Sequence, residues 1–116
     1  MPPSPIDHAT LHTLVATTDR AFVQELIEAF LEDGREQIAA MRRSLADGDA
    51  PTFQRAAHSL KSSSANLGAL ELSAQAKALE LLAKEGNLQA ASGPLEAVAL
   101  AFPAVEQSLR EFGHDT

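Results

Sequence analysis

A stripe of apolar residues at helical spacing, between residues 22 and 45, constrains the fold of this chain more than any other feature. Its members recur every three or four positions, as on one face of an α-helix: Phe22, Val23, Leu26, Ile27, Phe30, Ile38, Met41 and Leu45. A strand would need apolar residues at alternate positions, and strand-forming aromatics are scarce, with no Trp or Tyr and 5 Phe. Gly34 interrupts the stripe but is expected to weaken the helix by about 1 kcal/mol rather than to end it.

Capping residues and glycine–proline pairs divide the chain into further helices. Asp7 is expected to cap a short helix that runs to about residue 17, and Thr18-Asp19 opens the long helix. The segment Asp47-Gly48-Asp49-Ala50-Pro51 ends that helix and begins the next. The later helices are predicted at about 51–66, at about 70–85 and from there to about residue 112. Because short connections make consecutive helices antiparallel, the predicted fold is all-α, an up-down antiparallel four-helix bundle with an additional short N-terminal helix.

Proline positions and chain length set the expected domain organisation. A length of 116 residues suits one domain, with residues 1–6 as a proline-rich tail or linker, 7–112 as the helical bundle and 113–116 as a C-terminal tail. Within the last helix, Gly93-Pro94 is expected to break or restart the helix, and Pro103 to kink it.

Composition excludes several classes of protein. The absence of cysteine rules out disulfides, thiolate zinc sites and a cysteine nucleophile. No apolar run is expected to reach the roughly 20 residues that span a bilayer, and the first residues lack the pattern of a secretory signal. We therefore expect a cytoplasmic domain, or a cytoplasmic piece of a larger protein, without direct membrane contact.

The charge is unevenly distributed. A net charge of −7 argues against binding to duplex nucleic acid, which needs a basic face. Residues 42–61 nevertheless carry four basic and two acidic residues, a local charge of +2. This basic window in an acidic chain predicts a partner, or a chemical group, that is itself negative.

The helix predicted at 51–66 places a histidine on its outer side. Phe53, Leu60 and Leu67 recur every seven residues and share one face, and His58 lies on the opposite face. The side chains that share its face are Gln54, Arg55, Lys61, Ser62 and Ala65. The helix thus presents an imidazole flanked by two cations and by small residues.

Such a surface suits phosphoryl transfer. A neutral imidazole is a nitrogen nucleophile near pH 7, and Lys61 lies where it can balance the charge of an incoming phosphoryl group. Transfer demands mainly positioning and charge stabilisation, so a sparse site suffices. From geometry alone, a solvated histidine among ordinary charged neighbours remains an equally good interpretation.

The segment His58-Ser59-Leu60-Lys61-Ser62-Ser63-Ser64-Ala65-Asn66-Leu67-Gly68-Ala69 resembles the signature of histidine-containing phosphotransfer (HPt) domains. That signature is His-x-Leu-Lys-Gly, followed by small residues and a Gly-Ala corner. The resemblance extends over nearly the whole chain and implies a four-helix bundle with an extra helix. It implies that His58 accepts a phosphoryl group from a receiver-domain aspartate and passes it to another receiver, and that Lys61 helps to hold the group. Ser62 departs from the pattern, because the family most often has glycine there.

The resemblance also implies the partners. These would be response-regulator receiver domains, with Gln54, Arg55, Ser62 and Ala65 at the contact surface and with Mg²⁺ supplied by the receiver. The chain itself would need no cofactor and no small-molecule substrate, and it would be a phosphohistidine carrier without kinase activity, since no nucleotide-binding motif is present. The opening Pro2-Pro3-Ser4-Pro5-Ile6-Asp7 resembles the linker before the C-terminal HPt domain of a bacterial hybrid sensor kinase. A free-standing shuttle protein and a domain tethered to such a parent kinase are both consistent with the residues.

An alternative function is a pure interaction module, in which the face around His58 docks a regulator or an enzyme without phosphotransfer. A third hypothesis is metal binding by His8 and His12. These histidines are spaced i, i+4 but lack an evident third ligand beyond the adjacent Asp7. We therefore predict no metal site.

The remaining polar residues are mostly expected to have structural and not chemical roles. His114 is expected in the acidic tail and uninvolved, and the serines at 62–64 are expected to serve packing. An acidic run on the long helix is expected to be its solvated face, or else to repel wrong partners near the docking surface: Glu25, Glu28, Glu32, Asp33 and Glu36.

Overall fold

The structure, a computed structural model, describes residues 5–114, and these residues form helices without any strand. The α-helices are α1 (His8–Thr17), α2 (Arg20–Asp47), α3 (Ala50–Asn66), α4 (Leu70–Lys84) and α5 (Ser92–His114). A short 3₁₀ helix, Leu88–Ala91, precedes α5. The predicted all-α fold is confirmed.

The ends of α2 and α3 follow the capping residues in the sequence, whereas Asp7 precedes α1 without a capping hydrogen bond from its side chain. The Asp19 carboxylate accepts a hydrogen bond from the Phe22 N–H and so caps α2. Gly48 ends α2 in the left-handed conformation, at φ 69°, where a side chain would be strained. The Asp49 carboxylate then accepts from the Thr52 N–H, which caps α3 with Pro51 in its first turn. The corner between these two helices is therefore determined locally.

The bundle consists of α2 to α5. Each of these helices packs against its neighbour in the chain, and α2 also packs against α5, which closes the bundle. α1 packs against α2, and its Leu11 is fully buried. α3 consequently lies between α2 and α4 and has one side open to solvent.

Both ends of the described chain extend the bundle slightly beyond residues 7–112. Ile6, placed in the predicted tail, is buried with the core, and the Asp7 N–H donates to the Gly68 carbonyl at 2.7 Å. α5 runs to His114, two residues beyond the predicted end. Residues 1–4 and 115–116 of the two predicted tails lie outside the described residues.

The last helix begins where the sequence predicts a break or restart. α5 starts at Ser92, so Gly93 and Pro94 lie in its first turn, and it continues through Pro103. By length and composition, Leu88–Gly113 is also apolar enough to cross a membrane, contrary to the estimate from the sequence. One side of α5 instead packs into the bundle through Leu95, Val98 and Leu109, all at most 2% exposed. This side of α5 therefore contributes to the core.

Candidate functional site

His58 lies on the solvent side of α3. Phe53 and Leu60 on the opposite side are fully buried, whereas the His58 side chain is 59% exposed. The orientation expected from helical periodicity is therefore the one that the structure has. The imidazole is open to a second molecule.

A carboxylate from α4 holds both His58 and Lys61. Glu80 Oε2 lies 2.8 Å from His58 Nδ1, and the Lys61 Nζ donates to Glu80 Oε1 at 2.6 Å. The Glu80 side chain is only 16% exposed, so its two oxygens are largely shielded between the helices. A further hydrogen bond, from the Ser73 hydroxyl to the Lys61 carbonyl, joins α3 to α4 beside this pair.

Glu80 was not predicted from the sequence as a residue of the site. The sequence singles out Glu80 in one respect only. It is the only acidic residue between Leu72 and Lys84, in a segment rich in alanine and leucine. Nothing in the spacing between residues 58 and 80 predicts their contact, which depends on how α3 and α4 are aligned.

The ionisation of Glu80 determines which nitrogen of a neutral His58 ring carries the proton. The hydrogen bond from Lys61 lowers the pKa of Glu80, with the hydrogen bond to His58 and the positive charges of both partners adding to it and burial opposing it. Glu80 is therefore ionised near neutral pH and has no proton to donate. In the neutral imidazole, the short contact then requires that Nδ1 carries the proton, which leaves the lone pair on Nε2.

An open depression of about 550 Å³ surrounds the imidazole. Its lining includes Gln54, Arg55 and Ser59 together with His58 and Glu80. Of the predicted contact residues, Gln54 and Arg55 thus border the depression, whereas Ser62 and Ala65 are exposed farther along α3. Ser62 and Ala65 extend the same outer face of the helix.

The histidines of α1 have a different environment. The rings of His8 and His12 lie 6.2 and 5.4 Å from the Phe112 ring, at the end of the bundle. Among the described residues, no group of three or more potential ligands is placed to hold a metal ion. The His114 side chain lies outside the described residues.

Two of the serines at 62–64 are placed by the packing of α3, and the acidic run of α2 is exposed to solvent. Ser64 is fully buried, and the Ser63 hydroxyl donates to the Ser59 carbonyl within α3. On the exposed side of α2, Glu28 pairs with Arg110 and Glu36 with Arg43.

Comparisons with known proteins agree with this geometry. The family model described as Hpt domain matches residues 25–111. The fold is similar to the crystal structure of histidine-containing phosphotransfer protein B (HptB) from Pseudomonas aeruginosa PAO1, with a TM-score of 0.89 and 28% identity over 97% of this chain and 96% of that chain. A search of the curated proteins gives no match.

Proposed function

Because the chain belongs to the Hpt domain family, we propose that it is a phosphorelay intermediate that accepts a phosphoryl group on His58 from a receiver-domain aspartate and passes it to another receiver. A general role in histidine phosphotransfer follows from the family and from the similarity to HptB. The observation that supports His58 as the acceptor is its exposed imidazole, held at Nδ1 by Glu80.

The proposed transfer needs no proton to move before attack. The Nε2 lone pair attacks phosphorus, the bond from phosphorus to the aspartyl oxygen breaks, and its electron pair leaves with the receiver's carboxylate. The ring then carries a positive charge, since Nδ1 keeps its proton. Glu80 stabilises that charge through the hydrogen bond it already makes. The reverse transfer to a second receiver follows the same path.

Lys61 and Arg55 supply positive charge for the phosphoryl group. Lys61 is bound to Glu80 at 2.6 Å in this structure and has a side chain that is 28% exposed. Its flexible stem allows the ammonium to turn toward phosphoryl oxygens while Glu80 remains on Nδ1. Arg55 borders the depression around the imidazole and adds a second cation. Ser62, exposed one turn after His58, is short enough to admit the donor in place of the glycine usual in the family.

The partners that this proposal requires are receiver domains, which supply the Mg²⁺. The chain itself needs no cofactor and contacts neither nucleic acid nor membrane directly. We place the protein in the bacterial cytoplasm, either free or joined to a hybrid kinase.

The test is phosphoryl transfer from a panel of pre-phosphorylated receiver domains to the wild-type protein and to His58→Gln. We expect acid-labile label on the wild type and none on His58→Gln, because the amide cannot form the phosphoramidate. His12→Gln is the matched control, since it removes an exposed histidine from α1 and should be labelled like the wild type. Label on a folded His58→Gln would contradict the assignment.

The same panel separates phosphotransfer from the alternative of a docking module. If receivers bind the protein but never label it, and bind His58→Ala equally well, the face around His58 is a docking surface and the proposed transfer is wrong.

A further inference from the structure

Arg55 differs from the arginines near the end of α2 in what holds its side chain. Arg42 and Arg43 each form an ion pair with a glutamate, at 3.3 and 3.2 Å. Arg55 forms no ion pair with a described residue, and its Nη2 instead donates to the Thr52 hydroxyl at 3.3 Å. The positive charge of Arg55 is therefore held in place without direct contact to a carboxylate.

The Thr52 hydroxyl is itself oriented by Asp49. Asp49 Oδ1 accepts from the Thr52 N–H at 3.2 Å, and Asp49 Oδ2 accepts from the Thr52 hydroxyl at 2.6 Å. Because the hydroxyl has one proton and donates it to Asp49, its oxygen can only accept from Arg55. The hydrogen bonds from Thr52 lower the pKa of Asp49, so the carboxylate is ionised near neutral pH and keeps the hydroxyl in this orientation.

These hydrogen bonds connect the start of α3 to the surroundings of His58. Arg55 and His58 are three residues apart on α3, which makes their side chains neighbours on the surface of the helix. The depression around the imidazole is lined by Arg55 and extends to Pro51, in the first turn of α3. The residues that cap α3 and the cation beside His58 thus form one hydrogen-bonded series, Asp49–Thr52–Arg55.

We propose that Thr52, oriented by Asp49, is a positioning residue for phosphoryl transfer, because it holds the Arg55 guanidinium at the edge of the depression where a phosphoryl group approaches His58. This inference rests on the proposed function. Thr52 occupies one donor of the guanidinium, so other donors remain for phosphoryl oxygens. A long side chain loses rotational freedom when it binds an anion, and Thr52 restricts that freedom before the receiver arrives. A charge that is already in position needs less reorganisation during transfer.

The test compares Thr52→Val with Thr52→Ser, each alone and combined with Arg55→Gln. Valine removes the hydroxyl but keeps the size of the side chain and the N–H that Asp49 caps, whereas serine keeps the hydroxyl. The measurement is kcat/KM for transfer from a phosphorylated receiver domain that labels the wild type. We expect Arg55→Gln to lower kcat/KM about fivefold and Thr52→Val about threefold, since exposed charge interactions have effects of this size. Thr52→Ser should match the wild type, as should Thr17→Val, which removes an exposed hydroxyl from α1.

The double variant separates positioning of Arg55 from a purely structural effect of Thr52. If Thr52 acts through Arg55, Thr52→Val should have no further effect on kcat/KM in the Arg55→Gln background. An equal loss in both backgrounds, a loss in Thr52→Ser as large as in Thr52→Val, or wild-type rates in Thr52→Val or Arg55→Gln would overturn this inference and leave His58 as the proposed acceptor. A wild-type protein that no receiver labels would instead refute the proposed function, and the inference with it.

Discussion

At the scale of single residues, Glu80 links the proposed chemistry to the packing of the bundle. Its carboxylate joins α4 to two side chains of α3, His58 and Lys61, at 2.8 and 2.6 Å. The same contacts that hold the imidazole therefore also hold two helices together. A change at Glu80 should be visible in the stability of the protein as well as in transfer.

Replacing Glu80 with glutamine should reduce the free energy of unfolding at pH 7 by about 1–2 kcal/mol, because a charge-assisted hydrogen bond to Lys61 is lost. The pKa of Glu80 is lowered in the folded state, chiefly by Lys61. A group of this kind stabilises the fold fully above its unfolded pKa, near 4.5, and the contribution disappears as the pH falls through the lower folded value.

Urea unfolding of the wild type and of Glu80→Gln between pH 3 and pH 8 measures this difference. The two proteins should differ most above about pH 5 and converge in acid. A difference that stays constant across the range would show that the carboxylate charge contributes nothing.

Ser64 is a polar residue in the core whose hydroxyl is not paired with another described residue. It is fully buried, and its oxygen makes no hydrogen bond to any described atom of the chain. Burying an unpaired hydroxyl costs about 1–3 kcal/mol, so Ser64→Ala should raise the free energy of unfolding by about 1 kcal/mol after the loss of packing. Thermal and urea unfolding measure this change, and a loss of stability would indicate a partner for the hydroxyl.

The orientation of His58 could be predicted from the sequence and its contact with Glu80 could not. Periodicity within one helix places Phe53 and Leu60 inside and His58 outside, because the rotation per residue is fixed. The contact with Glu80 depends on the alignment of two helices, which is determined by packing across the whole interface. The alignment of α3 and α4 therefore cannot be predicted from the sequence of either helix alone.

At the scale of helices, Gly34 of α2 lies directly against the Phe102 side chain of α5. A Cβ at this position would lie 2.6 Å from the Phe102 ring, which is itself buried and packs on Phe30 at 5.8 Å between ring centroids. The glycine that interrupts the apolar stripe therefore makes room for an aromatic side chain. Its role in the sequence is packing between helices and not the end of a helix.

Two glycine-to-alanine variants should change stability in opposite directions. Gly34→Ala should lower the free energy of unfolding by about 1–2 kcal/mol, since overpacking against Phe102 outweighs the gain in helix propensity. Gly93→Ala, in the first turn of α5 with open space around the new Cβ, should raise it by about 0.5 kcal/mol. Urea unfolding of both variants measures the effects, and stabilisation by Gly34→Ala would show that the ring moves away freely.

Helix boundaries were predictable where a cap or a glycine determines them. Asp19 begins α2, and the left-handed Gly48 and Gly86 follow the ends of α2 and α4. The 3₁₀ helix Leu88–Ala91 was not predicted, because its residues are ordinary helix formers and nothing in them distinguishes a 3₁₀ helix from an α-helix. Gly93-Pro94 was expected to break or restart the last helix, and α5 restarts at Ser92, directly before this pair.

At the scale of the whole molecule, the proposed site lies on the outer side of α3, and no described residue of α5 contributes to it. α3 carries His58 and packs between α2 and α4, whereas α5 packs against α2 and α4 from the other side. The contact with Glu80 lies on the side of α3 that faces α4. We therefore expect that large changes in stability at α5 leave the geometry around His58 unchanged.

Leu109→Ala tests this separation. Leu109 lies on α5 and is fully buried, so its truncation should cost about 2–5 kcal/mol in urea unfolding. A domain of this size has about 5–15 kcal/mol of stability, which leaves most molecules folded at 25 °C. The rate of phosphoryl transfer per folded molecule should then equal that of the wild type, because the His58–Glu80–Lys61 contacts involve α3 and α4 alone. A slower rate in the folded fraction would mean that α5 positions Glu80 through α4, and that core packing and the site are coupled.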